Sequence, residues 1–261
     1  MEYYLEASCA CHTGRVRKNN EDNFYFNGQI LAQEHSSVSK PIYKRFDQEA
    51  VCFAVFDGMG GEADGQIASH LAAQTFRKDC EQMERGGMMS ESLLNNAVTH
   101  MNDAVVLNAQ QSNNHMGTTA AIVGFCVESV YVGNVGDSRI YRLRQKQFSQ
   151  ISMDHTEKIP PFMQKTRHQK PRLSQCIGIS PKELLLEPYL AKGKVKAGDI
   201  FVISSDGMTD MLSEKEILDV LHSGRDAGVC VQELIEKSLQ NGGRDNITVI
   251  VIRVIQKPME R

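Results

Sequence analysis

The sequence predicts an α+β protein in which antiparallel β-sheets carry helical layers. Three observations point there. Runs rich in β-branched residues recur along all 261 residues, helical periodicity comes in paired blocks between groups of these runs, and no internal repeat or Pro/Gly-rich linker separates them. A doubly wound parallel sheet would instead place one helix after each strand. The chain therefore reads as a single domain spanning 1–261.

Taken in order, strands are expected near 3–11, 23–30, 51–56, 118–126, 130–135, 139–144, 200–204 and 247–254. Glu128-Ser129 reads as a tight hairpin connection. Residues Arg139, Ile140, Tyr141, Arg142, Leu143 and Arg144 alternate, so that strand should have one wet face. Ile67, Leu71, Ala72, Thr75 and Phe76 share one helical face, and Leu94, Ala97, Val98, Met101, Ala104 and Val105 form the cleanest amphipathic stripe. Ile217, Leu218 and Leu221, then Val231, Leu234, Ile235 and Ser238, mark two further helices. Segments 33–48 and 157–172 read as irregular.

Composition narrows the function classes. A formal net charge of −3 lacks the basic excess of a nucleic-acid surface. Seven scattered cysteines fit reduced thiols, no charged start with an apolar core follows Met1, and no apolar run approaches the roughly 18 residues of a membrane span. The expectation is a cytoplasmic monomer without membrane or nucleic-acid partners.

Short acidic clusters carry the chemistry: Asn20-Glu21-Asp22, Asp57-Gly58-Met59-Gly60-Gly61, Gly136-Asp137-Ser138-Arg139, Ser205-Asp206-Gly207 and Asp245-Asn246. Several stand where a β-run stops or begins. Carboxylates converging from remote strand ends suit Mg²⁺ or Mn²⁺, which take oxygen ligands and keep several waters. Each cluster alone is also an ordinary turn, since Asp-Gly is a frequent turn pair. Arg17 is either a surface cation or a fork-shaped phosphate donor. Cys9-Ala10-Cys11-His12 lacks a second Cys/His pair and reads as strand rather than a soft-metal site. The five-residue Cys-to-Arg spacing of a cysteine phosphatase does occur, at Cys9–Arg15 and Cys11–Arg17, but both cysteines fall within the first expected strand rather than on a loop; Cys80 and Arg85 miss the spacing by one.

In this order the motifs resemble the type 2C metal-dependent protein serine/threonine phosphatases, bacterial branch. The matching pieces include Gly14-Arg15-Val16-Arg17-Lys18-Asn19-Asn20-Glu21-Asp22, the Asp57 cluster, Gly117-Thr118-Thr119, Gly133-Asn134-Val135-Gly136-Asp137, Asp154-His155-Thr156, Ser204-Ser205-Asp206-Gly207 and Gly243-Arg244-Asp245-Asn246. The resemblance implies a four-layer α-β-β-α sandwich with metals in a cleft at one end. It implies that Asp57 bridges two ions, Asp206 and Asp245 complete one site, Glu21 and the Gly58 carbonyl serve the other, and Asp22 supports its waters. Asp137, with Asp206 and Asp210, matches a looser third site, and Arg17 holds the substrate phosphate.

The activity implied by the resemblance is hydrolysis of phosphoserine or phosphothreonine in proteins, with Mn²⁺ or Mg²⁺ activating a bridging water for in-line attack. A cognate serine/threonine kinase is an implied partner. Met59 replaces a histidine common in animal members and cannot donate a proton, which leaves a metal-bound water as donor. The flap-like segment 157–172 is short, Gln175 stands where arginine is frequent, and His12 where an acidic residue is frequent. The rival readings are a catalytically silent phosphoprotein-binding module, which would normally have lost one of these carboxylates, and a specialised phosphatase acting on a small transcriptional regulator.

Overall fold

In the computed structural model, which describes residues 2–34, 37–60, 64–86, 89–158 and 171–258, two antiparallel sheets pack face to face between two helical layers. One sheet contains β1 (Tyr3–His12), β4 (Val38–Phe46), β9 (Arg139–Arg144), β10 (Gln147–Gln150), β12 (Ile200–Ser204) and β13 (Ile247–Gln256), in the order β10-β9-β12-β13-β1-β4. The other contains β2 (Asp22–Phe26), β3 (Gln29–Ile30), β5 (Ala50–Gly60), β7 (Ala120–Cys126), β8 (Ser129–Val135) and β11 (Tyr189–Lys194), in the order β11-β8-β7-β5-β2-β3. The short β6 (Met116–Thr118) pairs with the end of β5. This is the expected α+β sandwich of four layers.

The central strands β5 and β13 read as unbroken apolar runs because both of their faces are covered. Their inner residues, Phe53, Val55, Ile250 and Ile252, meet Phe24, Phe26, Phe125 and Phe201 between the sheets. Phe125 and Phe201 bridge the two sheets edge to face, with centroids 5.2 Å apart. Outer residues of the second sheet (Tyr25, Ala54, Phe56, Ile122) pack under α1 (Asp64–Gly86) and α2 (Glu91–Ser112). Outer residues of the first sheet (Val202, Val249, Val251) pack under α3 (Asp206–Thr209), α4 (Glu214–His222) and α5 (Ala227–Gln240). Local caps fix the helix starts. Ser90 accepts from the Leu93 amide, Ser213 and Glu216 form a capping box, and Asp226 accepts from the Val229 amide.

Four strands escaped the sequence reading: the three-residue β6, and β4, β10 and β11 at sheet edges. Segment 33–48 is not irregular throughout: Val38–Phe46 is a nine-residue edge strand. Pro41 and the cations Lys40, Lys44 and Arg45 obscured it, yet an edge tolerates proline and gains from charge that discourages further pairing. β10 and β11 also lie at sheet edges, half exposed and without a strong apolar signal. The hairpin after β7 turns at Val127-Glu128, with Val127 at φ 52°, so Ser129 already belongs to β8. Most of the flap-like segment 157–172 lies outside the described residues. Its base is closed by the Glu157 amide donating to the Arg172 carbonyl. Cys9, Cys11 and their neighbours lie within β1 with both thiols buried, as expected of a strand. Among the described residues no helix is long and apolar enough to cross a membrane.

Candidate metal centre

Strand register brings the acidic clusters to one end of the sandwich. Asp22, opening β2, pairs directly with Asp57 near the end of β5. The end of β12 pairs with the start of β13, so Asp206, at the first turn of α3, and Asp245, just before β13, emerge side by side. The start of β7 pairs with the end of β8, which places Asp137 in the following turn at that same end. A one-residue slip in any of these pairings would turn a carboxylate away from the others.

Electrostatics record the convergence. Burial, then the charges of Asp206, Asp22, Asp137 and Asp245, hold the Asp57 carboxyl well above the usual carboxylate range. Burial likewise pushes Asp22 up to about 7, against hydrogen bonds from the Thr248 and Ser205 hydroxyls, each 2.7 Å from Oδ2; the charges of Asp206 and Asp245 add to the rise. Burial raises Glu21 as well, opposed by Arg17. Ionised groups gathered this way repel one another, and a cation between them reverses the sign of that energy.

The donor set fits a hard divalent ion. The converging groups are carboxylates, and the nearby soft donor, Cys11, is buried among other contacts. Its Sγ accepts hydrogen bonds from Asn20 and Thr248, each at 3.0 Å, and burial raises the thiol to about 12, so it stays neutral. Among the described residues no three His, Cys, Asp or Glu side chains already close on a single point.

Backbone packing around the centre leaves no room for side chains. A Cβ on Gly58 would lie 2.1 Å from the Gly65 carbonyl oxygen and 2.5 Å from that of Glu21, and a Cβ on Gly65 would lie 2.9 Å from the Glu21 carboxyl carbon. Asp57 is fixed by Thr119, whose hydroxyl accepts from the Asp57 amide at 3.0 Å and whose amide donates to the Asp57 carbonyl at 2.9 Å. The turn carrying Asp137 is held by buried His155, which accepts the Gly136 amide on Nδ1 at 3.2 Å.

Arg17 sits on an exposed loop at the rim, and its guanidinium donates to Asp245 Oδ2 at 2.7 Å. The phosphate-clamp candidate is thus paired with a candidate metal ligand. The loop itself is organised by buried Asn246. Its Oδ1 accepts the Glu21 amide at 2.8 Å, while Nδ2 donates to the carbonyls of Thr13 (2.8 Å) and Asn19 (2.9 Å). His12 adds a further tie by accepting the Gly14 amide on Nδ1 at 2.8 Å.

Sequence reasoning singled out the carboxylates, Gly58 and Arg17, and the fold brings all of them to this end. It gave no role to Asn246, Thr119, Ser205, Thr248 or Gly65, whose contributions depend on partners far away in sequence. The one readable signal was Gly65, a poor helix former in the first turn of α1. Met59 does not join the carboxylates; its side chain packs toward Gly117 and lines a neighbouring cleft. Exposed Asp210 caps α3, its amide donating to the Asp206 carbonyl. Gln175, which stands where arginine is frequent, is buried and bonded to the backbone of Leu185 and Glu187.

Residues 40–239 match the family model described as protein phosphatase 2C. The chain is 29% identical over 253 residues to the serine/threonine protein phosphatase PstP of Mycobacterium tuberculosis, covering 93% of this chain and 43% of PstP, so it spans less than half of that relative's length. It is 28% identical over 262 residues to the serine/threonine phosphatase Stp of Listeria welshimeri, covering 95% of each. Among solved structures, the catalytic domain of PstP in complex with two manganese ions superposes with a TM-score of 0.75 at 26% identity, covering 97% of this chain and 99% of that one. The S. agalactiae serine/threonine phosphatase superposes with a TM-score of 0.80 at 26% identity, covering 95% and 99%.

Proposed function

Because the chain belongs to the protein phosphatase 2C family, we propose that it hydrolyses phosphoserine and phosphothreonine in proteins with manganese or magnesium as cofactor. One observation carries this reading: strand register gathers four carboxylates from separate elements, Asp22, Asp137, Asp206 and Asp245, around Asp57. The two manganese ions of the PstP complex, on the same fold, support it.

Two ions held there would supply Lewis acidity and a water acidic enough to attack phosphorus in line. In this reading Asp57 would be a ligand of both, Asp206 and Asp245 would complete one site, and Glu21 with the Gly58 carbonyl would serve the other. Asp22, kept in orientation by the Ser205 and Thr248 hydroxyls, would support the waters of the second site. Asp137 and Asp206 are the residues that would hold a third ion. Arg17 is the phosphate ligand in this reading; to serve, its guanidinium must swing from Asp245 or share its remaining N–H groups. Cytoplasmic phosphoproteins, including targets shared with a serine/threonine kinase, are the proposed substrates.

The decisive experiment measures turnover of a phosphothreonine peptide with Mn²⁺ for the parent, Asp57→Asn and Asp206→Asn. Both variants should lose activity while retaining the parent's circular dichroism, and chelation should silence the parent. Full activity in either variant would overturn the ligand assignment.

A further inference from the structure

Beside the carboxylate centre lies a cleft of about 460 Å³ whose floor begins where the candidate ligands end. Asp57, Gly58, Met59 and Gly60 are consecutive on β5; Asp57 belongs to the carboxylate cluster, and Met59 and Gly60 line the cleft. At about 3.3 Å per residue, the cleft starts about 7–10 Å from Asp57. An extended peptide covers that distance in two or three residues.

The lining has two characters. Met59, Met116, Val106 and Ala109 give an apolar floor and wall. Cys176 belongs with them, because burial lifts its thiol to about 11 and keeps it neutral. Gly117 permits this packing: a Cβ there would lie 3.3 Å from Cys176 Sγ and 3.5 Å from Met59 Cγ. The rim, by contrast, is negative. Glu183 is the one carboxylate among the described lining residues, and no lysine or arginine is among them. Asp64 stands just behind the rim, where its Oδ1 accepts from Asn114 Nδ2 at 2.9 Å. The C-terminal end of the 22-residue α2 also opens here, capped by Asn113 and with no basic residue in its last turn, so its carbonyl dipoles add to the negative field.

An apolar trough with a negative rim matches a long side chain with an aliphatic stem and a cationic head. We propose that this cleft binds a lysine or arginine of the phosphoprotein substrate, two or three residues from the phosphorylated serine or threonine. The assignment rests on the phosphatase reading above and makes it narrower: the preferred substrates are phosphopeptides with a basic neighbour. It also gives Met59 a role, as part of the floor that receives the stem.

The test compares phosphothreonine peptides that carry arginine or glutamate at one position, scanned over the three residues on either side, with Mn²⁺ and low salt. The measured quantity is the ratio of kcat/KM for the arginine peptide to that for the glutamate peptide, taken within each protein so that folding and metal loading cancel. Exposed charge pairs and helix termini each contribute factors of about two to five, so the ratio should reach about tenfold at one position two or three residues away. It should fall with added salt. Glu183→Lys should bring it close to one, and Val106→Glu should raise it. A parent ratio near one at every position, or one unchanged in Glu183→Lys, would overturn the cleft assignment while leaving the phosphatase reading intact. Failure of the parent to hydrolyse either peptides or an aryl phosphate would remove both.

Discussion

Replacing Asp22 by asparagine should stabilise the metal-free protein at neutral pH, although it alters a fully buried polar residue. Burial beside Asp206 and Asp245 raises this carboxyl from 3.8 to about 7. Below pH 4 it is protonated in both folded and unfolded chains and has no effect. Between about 4 and 7 only the unfolded chain ionises, so the native state binds more protons and stability falls as pH rises, levelling off above 7. At 1.36 kcal/mol per pKa unit the full penalty is about 4 kcal/mol, an upper bound for a site whose neighbours titrate with it. Asparagine keeps an oxygen for the Ser205 and Thr248 hydroxyls while removing the charge. In chelator, urea unfolding should show Asp22→Asn more stable than the parent by about 2–4 kcal/mol at pH 8 and equal to it at pH 4. Adding Mn²⁺ should narrow the gap at pH 8, since the parent has more repulsion for the ion to relieve. A variant less stable than the parent at pH 8, or a gain of the same size at both pH values, would refute the claim that clustered carboxylates strain the metal-free fold.

Arg17→Ala should lower kcat/KM on a phosphopeptide by about 10²-fold, the usual cost of losing one preorganised donor; steady-state kinetics showing a change under threefold would exclude it as phosphate ligand. Asn246→Asp keeps an acceptor for the Glu21 amide but loses both donations, to Thr13 and Asn19. Urea unfolding should register about 1–3 kcal/mol of lost stability, and isothermal titration should show weaker Mn²⁺ binding. Gly58→Ala forces a Cβ to within 2.1 Å of the Gly65 carbonyl oxygen, so the thermal midpoint should fall by an amount equivalent to about 1–3 kcal/mol or more. An unchanged midpoint would mean that α1 sits further from β5 than the Gly65 contact requires.

Fold class and acidic clusters are legible in the amino-acid order because each is written locally. β-branched runs such as Ile247 to Ile252 need both faces covered wherever they lie, the stripe from Leu94 to Val105 needs a sheet beneath it, and Asp206-Gly207 after an apolar run marks the end of β12, whereas β5 runs on past Asp57-Gly58 to Gly60. Edge strands are not legible in this way. Lys40, Pro41, Lys44 and Arg45 look like loop until the sheet margin explains why a strand would carry them. Who meets whom is settled by the closed fold alone. Antiparallel register sets Asp22 opposite Asp57 and brings Asp245 beside Arg17, across 228 positions of sequence. It also sends Met59 into a cleft shared with α2 and gives Asn246 its three partners. The physical reason is range: propensity and periodicity act over a few residues, whereas hydrogen bonds and charge repulsion act on distances in space that exist only once both sheets have closed on their core.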